Sequence, residues 1–164
     1  MLPQFLNIKK NYELVRFGKD NDGGYLIEKN SILNSEILIS AGISWDFSFE
    51  EDYLIKVNKK VYCYDHTLNF KHYFTTWMLI FLTRILKFSN FSKIKSAFNN
   101  MLKPLKLKKF FKNKQVEYFN LGIGLKNEKI LELNEILSNH KNLDKIFLKI
   151  DIERDEYRVL DDII

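Results

Sequence analysis

Apolar positions in this chain fall into short runs separated by turn-forming residues, and the runs alternate between two periods. Tyr12–Glu28 holds two such runs on either side of Gly18-Lys-Asp-Asn-Asp-Gly-Gly24. Asp-Gly-Gly in that setting predicts a β-hairpin, because glycine supplies positive φ without steric cost. Glu36–Gly42 is a continuous apolar run ending on small residues, the pattern of a buried parallel strand followed by a tight turn. Ser48-Phe-Glu-Glu-Asp52 then reads as a helix start, with Ser48 as cap and Glu51 at the third helical position, running to about Asn58. Lys60–Asp65 predicts a second strand, Val116–Gly122 a third and Lys145–Ile152 a fourth. Between the second and third lies a largely helical stretch to about Asn113, expected to break at Pro104. Glu132–Leu137 predicts a short helix or turn, and Asp155–Ile164 opens another helix. Strands alternating with helices predict an α/β fold with a mostly parallel sheet.

Length keeps this to one domain, residues 1–164, with a single core. Hydrophobic residues make up 46% and charged residues 29%, which excludes wholesale disorder, and 6 Gly with 2 Pro exclude a collagen-like or linker-rich chain. Cys63 stands alone, so the chain can form no intrachain disulfide, in keeping with a reducing, cytoplasmic compartment. Met1–Lys10 lacks the basic lead and small-residue cleavage site of a secretory signal. The longest uncharged apolar run, Tyr73–Thr83, is about half of the roughly 20 residues a membrane span needs.

Charge changes the picture more. The net +5 hides eleven basic residues and no acidic one between His66 and Val116. The remaining 15 basic residues face all 21 acidic ones, so a body of net −6 carries a strongly basic segment.

Candidate chemistry sits at the strand ends, where open parallel sheets bind ligands. The first strand ends on Ser40-Ala41-Gly42, where a missing side chain lets a ligand approach the backbone. The second ends on Asp65, 23 residues after Gly42, placed to accept hydrogen bonds from a ribose diol. The fourth ends on Asp151 and Glu153, alternate positions that share one side of an extended chain. Each has a plainer reading: a turn glycine, a solvated strand-end carboxylate, and helix N-terminal charge favoured by the macrodipole. Neither G-x-G-x-x-G nor G-x-x-x-x-G-K occurs, which disfavours a nicotinamide or nucleoside-triphosphate site.

Ser40-Ala-Gly-Ile-Ser-Trp-Asp-Phe-Ser-Phe-Glu50, Tyr62-Cys-Tyr-Asp-His-Thr67 and Leu148-Lys-Ile-Asp-Ile-Glu153 with Glu156-Tyr-Arg-Val-Leu160 together resemble the FkbM-type methyltransferases. Arg16-Phe-Gly18, Asp22-Gly-Gly-Tyr25 and Leu121-Gly-Ile-Gly124 extend the likeness over roughly residues 12–65 and 116–164. The resemblance implies a Rossmann-like methyltransferase fold that uses S-adenosylmethionine. It implies that Ser40, Ala41 and Gly42 line the methionine part of the cofactor, that Asp65 holds the ribose and that Gly122 lies near the adenine. Asp151 and Glu153 would then face the transferred methyl and the acceptor, orienting or deprotonating its hydroxyl. The implied acceptor is a small molecule or a glycan or glycan precursor, and no metal ligands are expected. Ser44 and Arg154 stand where the family pattern often has glycine. Family members continue with a helix and usually three more strands, so a sheet incomplete at its C-terminus is expected. The alternative expectation is an inactive truncated paralogue acting as a peripheral membrane or interaction module.

Residues 68–114 form a basic insertion where a minimal fold of this type needs one helix. Three readings stand: a helical hairpin packed on the core with solvated lysines, an interfacial element on an anionic membrane through Trp77–Lys114, and, less favoured, a nucleic-acid grip. The second places the protein at the inner face of the membrane. His66, His72 and His140 show no metal-ligand spacing and read as structural or surface residues.

Overall fold

The structure, a computed structural model, describes residues 11–20, 23–124 and 127–152, together with Val159. Strands β1 (Leu14–Phe17) and β2 (Tyr25–Glu28) form the expected antiparallel hairpin. A short helix that the sequence pattern did not signal, α1 (Lys29–Leu33), follows at once. Its cap is Glu28, whose carboxylate accepts the amides of Asn30 and Ser31.

The central sheet contains β3 (Ile37–Ala41), β4 (Lys60–Tyr64), β5 (Val116–Phe119) and β8 (Ile146–Ile150), all parallel, in the order β5-β4-β3-β8. Every residue of β3 is buried because it is paired on both edges and covered on both faces. Leu38, Val61, Val116 and Phe147 point to one face, where they meet the hairpin, α1 through Ile32, and helices α2 (Ser48–Lys56) and α4 (Phe91–Phe110). Ile37, Ile39 and Ala41 point to the other face, against Leu133 and Ile136 of α5 (Leu133–Ser138) and against Val159. The rest of the expected C-terminal helix lies outside the described residues.

Three expectations need correction. Ser48 is the first residue of α2, not its cap, and no side chain of the cap residue Phe47 bonds to the helix. Asp46 instead accepts the Ser48 amide at 3.2 Å, while the Ser48 hydroxyl accepts the amide of Lys19 and ties the hairpin to the helix. The helix ends at Lys56, where Asn58 takes φ +56°, a left-handed stop that asparagine tolerates. The basic insertion is broken at Lys87–Asn90, not at Pro104. Helix α3 (Phe70–Leu86) and α4 pack as a hairpin, and Pro104 lies inside α4. Pro104 is itself buried, and Leu107 and Phe110 anchor that end of the helix in the core of the body, so packing outweighs the one backbone donor that proline lacks. Finally, the third strand stops at Phe119. Gly122–Ile123 (β6) leaves the sheet to pair with Ile130–Leu131 (β7).

Cys63 lies wholly inside this core. Burial, and then the nearby Glu50 carboxylate, push its thiol well above the ordinary range. A thiol that is both inaccessible and protonated reacts only when the protein opens. In native buffer Cys63 should therefore label no faster than the chain unfolds, and labelling should become immediate in denaturant. Stoichiometric labelling of the native protein within mixing time would contradict this core.

Candidate functional site

Numbering the four parallel strands in chain order gives the spatial order 3-2-1-4, so the chain runs from β3 to one edge and then crosses back to add β8 on the other side of β3, reversing the strand order there. Such a switch opens a crevice beyond the carboxyl ends of the strands on either side. A cavity of about 500 Å³ lies there, bounded by residues that follow β3, β4 and β8 and by the β6/β7 pair. That volume is within the range of small-molecule pockets.

Gly42, Asp65, Gly122 and Asp151 all line it. Gly42 takes φ +76°, and a Cβ at this position would fall on the Asp151 carbonyl oxygen, so the two strand ends meet only because the side chain is absent. Ser40 and Ala41 are fully buried and lie behind the wall rather than on it. Glu153 lies outside the described residues.

Asp65 is 5% exposed and works as a clasp. Its Oδ1 accepts the Thr67 amide at 2.7 Å and the Thr67 hydroxyl at 2.6 Å, and its Oδ2 accepts the Ser44 amide at 3.0 Å. A carboxylate has about four acceptor positions, so one remains uncommitted on a residue that lines the cavity. Ser44 reaches Asp65 with φ +53°, a conformation unusual for a residue with a Cβ. Gly122 is crowded by His66, whose Nδ1 would lie 2.6 Å from a Cβ at that glycine. Ile123 and Ile130 make that end of the cavity apolar.

The opposite end is charged. Lys149 lines the cavity and pairs with the buried carboxylate of Glu50, Nζ to Oε1 2.9 Å, while Ser40 donates its hydroxyl to the same oxygen at 2.5 Å. Glu50 Oε2 is buried with no partner among the described residues. Lys149 also lies over the rings of Tyr25 and Phe49, at 5.8 and 5.7 Å. Tyr25 donates its hydroxyl to Asp151 Oδ2 at 3.1 Å. The sequence reading did not single out Lys149, Glu50 or Tyr25. The signal was a lone lysine at an inward position of an otherwise apolar strand, since Lys149 stands in register with Ser40.

Asp46 lies at the rim of the cavity. Burial opposes its ionisation, but the Ser48 hydrogen bonds and the Lys19 ammonium outweigh this and hold its carboxyl below the usual range. Tyr64 and Tyr118 flank the clasp, Tyr118 donating its hydroxyl to the Asp65 carbonyl at 2.8 Å. Burial comes first among the causes that push both phenols up to about 12. Both therefore remain neutral donors throughout the physiological range. Among the described residues, no group of three or more His, Cys, Asp or Glu is placed to hold a metal.

The chain matches no family model, no curated protein and no solved structure.

Removing one partner of a buried ion pair strands the other charge, whereas removing both does not. Lys149→Met should cost roughly 3–5 kcal/mol in urea unfolding. The double variant Lys149→Met/Glu50→Gln should recover most of that loss, and equal stability of both variants would deny the pair its role. A second outcome concerns pH. A phenol whose folded pKa exceeds its unfolded value contributes stability below pH 10 that is lost as pH rises toward 12. Ultraviolet titration should show two tyrosines ionising after the others, with stability falling over that window. Uniform ionisation near pH 10 would contradict it.

Proposed function

We propose that this chain is a cytoplasmic S-adenosylmethionine-dependent methyltransferase on a Rossmann-like sheet, acting on a hydroxyl of a glycan or glycan precursor. The observation that carries the reading is the order of groups along one cavity. Asp151 and Lys149 stand at the β8 end, Gly42 and the Asp65 carboxylate lie in the middle, and an apolar wall of Ile123 and Ile130 closes the β6/β7 end. A ligand with a charged amino-acid end, a ribose and a flat apolar base matches that sequence of environments. The 3-2-1-4 strand order supports it further, because it is the first part of the doubly wound arrangement that binds nucleotides at this crevice. The lone, buried Cys63 agrees with a reducing compartment.

When bound, the cofactor would supply an activated methyl group on a sulfonium. The residues of the chain account for the rest. The open acceptor position of Asp65 takes one ribose hydroxyl, since Thr67 and Ser44 already fill the other three. Gly42 lets the backbone come close. Asp151, held by the Tyr25 hydroxyl, orients the acceptor hydroxyl and takes its proton as the methyl transfers. Lys149, paired with Glu50, lines the same end of the cavity as Asp151.

Titration calorimetry with S-adenosylmethionine tests the reading. Binding is expected, with S-adenosylhomocysteine as competitor, and Asp65→Ala should weaken it roughly tenfold to a hundredfold. Ile130→Trp, which fills the apolar end without touching the clasp, should weaken it with an unchanged urea midpoint. Absence of heat at millimolar cofactor would overturn the proposal in favour of a non-catalytic module.

A further inference from the structure

Helix α3 is strongly apolar, FKHYFTTWMLIFLTRIL, yet none of its residues is buried. Among the described residues no helix is long and apolar enough to cross a membrane. The far end of the hairpin is the extreme case. Leu86 is 77% exposed, Phe88 95% and Phe91 78%, three large apolar side chains together at the turn between α3 and α4. The turn is built, not frayed. Arg84 donates to the Lys93 carbonyl at 2.5 Å, the Phe88 and Ser89 amides return to Ile85 and Arg84, and Asn90 caps α4 through the Ser92 amide. Phe88 itself takes φ +46°, a costly conformation for a bulky residue. Lys87, Lys93 and Lys95 surround the tip, all exposed, within the segment that holds eleven basic and no acidic residues.

We propose that this tip inserts into the headgroup region of an anionic bilayer, with Leu86, Phe88 and Phe91 as the wedge and the lysines as the collar. Charge selects this occupant. A second copy docked tip to tip would set eleven basic residues against eleven with no acidic residue in either segment, whereas an anionic lipid surface complements the collar and accepts the wedge. Phe91, Phe98 and Leu105, seven residues apart and all exposed, continue the apolar stripe along one side of α4, with Lys95 beside it. The contact anticipated for Trp77–Lys114 thus narrows to the turn, because Trp77 is half-buried on the body side, where Tyr73 stacks on Trp45. Helix α3 has 17 residues and so spans about 25 Å, which separates the wedge from the cavity at its other end.

Co-sedimentation of the full chain with vesicles tests it. Phosphatidylcholine vesicles containing phosphatidylglycerol should bind the protein, pure phosphatidylcholine should not, and high salt should release it. Lys87→Gln/Lys93→Gln/Lys95→Gln should lower the partition coefficient about a hundredfold, at roughly fivefold for each lysine. Leu86→Ser/Phe88→Ser/Phe91→Ser should abolish binding with the circular dichroism spectrum unchanged, since all three side chains face solvent. The proposal is overturned if the protein stays in the supernatant with anionic vesicles, or if the serine variant binds as well as the parent. Binding to single-stranded RNA but not to vesicles would overturn it equally.

Discussion

Pairing of β3 on both edges is the constraint on which the rest depends. With β4 on one side and β8 on the other, all five of its residues are buried, and the chain builds outward from it through β4 and β5 before crossing back to lay β8 on its free edge. That reversal creates the crevice. Gly42 sits where the crevice begins, and its missing Cβ lets the Asp151 carbonyl close over the end of the strand. A side chain there would separate β3 from the segment after β8.

The same strand carries the polar layer beneath the cavity. Tyr118, Cys63, Ser40 and Lys149 stand in register across the four strands, on one face near their carboxyl ends. Glu50 descends onto that row from the first turn of α2, where a carboxylate also complements the helix dipole. Burying a full charge is costly unless it is paired, and here Lys149 and Ser40 share one of its oxygens. The fold thus buries the Lys149–Glu50 pair at the β8 end of the cavity, and it locks α2 to β8 in the process. Asp65 plays the matching part on the other side, tying the loop after β3 to the loop after β4. The cavity is framed by two charged clasps, one buried and one half-open.

The basic insertion follows different physics. Its second helix belongs to the body through Leu107 and Phe110, while its first helix is held mostly by that partner and by aromatic contacts at its start. Apolar surface that the body does not cover is left at the turn, together with unrelieved positive charge.

Period and punctuation in the sequence determined the hairpin, the four parallel strands and the residues at their ends, because burial on both faces demands continuous apolar runs and turns demand glycine. Gly42, Asp65, Gly122 and Asp151 were legible for that reason. Tertiary structure alone decided that Ser40 lies behind the cavity, that Asp65 has already committed three of its acceptor positions and that Lys149 faces Glu50. Those facts depend on cross-strand register and on a helix packed 99 residues away from its partner along the chain, which no local pattern encodes. The survival of α4 through Pro104 has the same origin: a local penalty of about 3 kcal/mol is outweighed by side chains that only the folded body brings together.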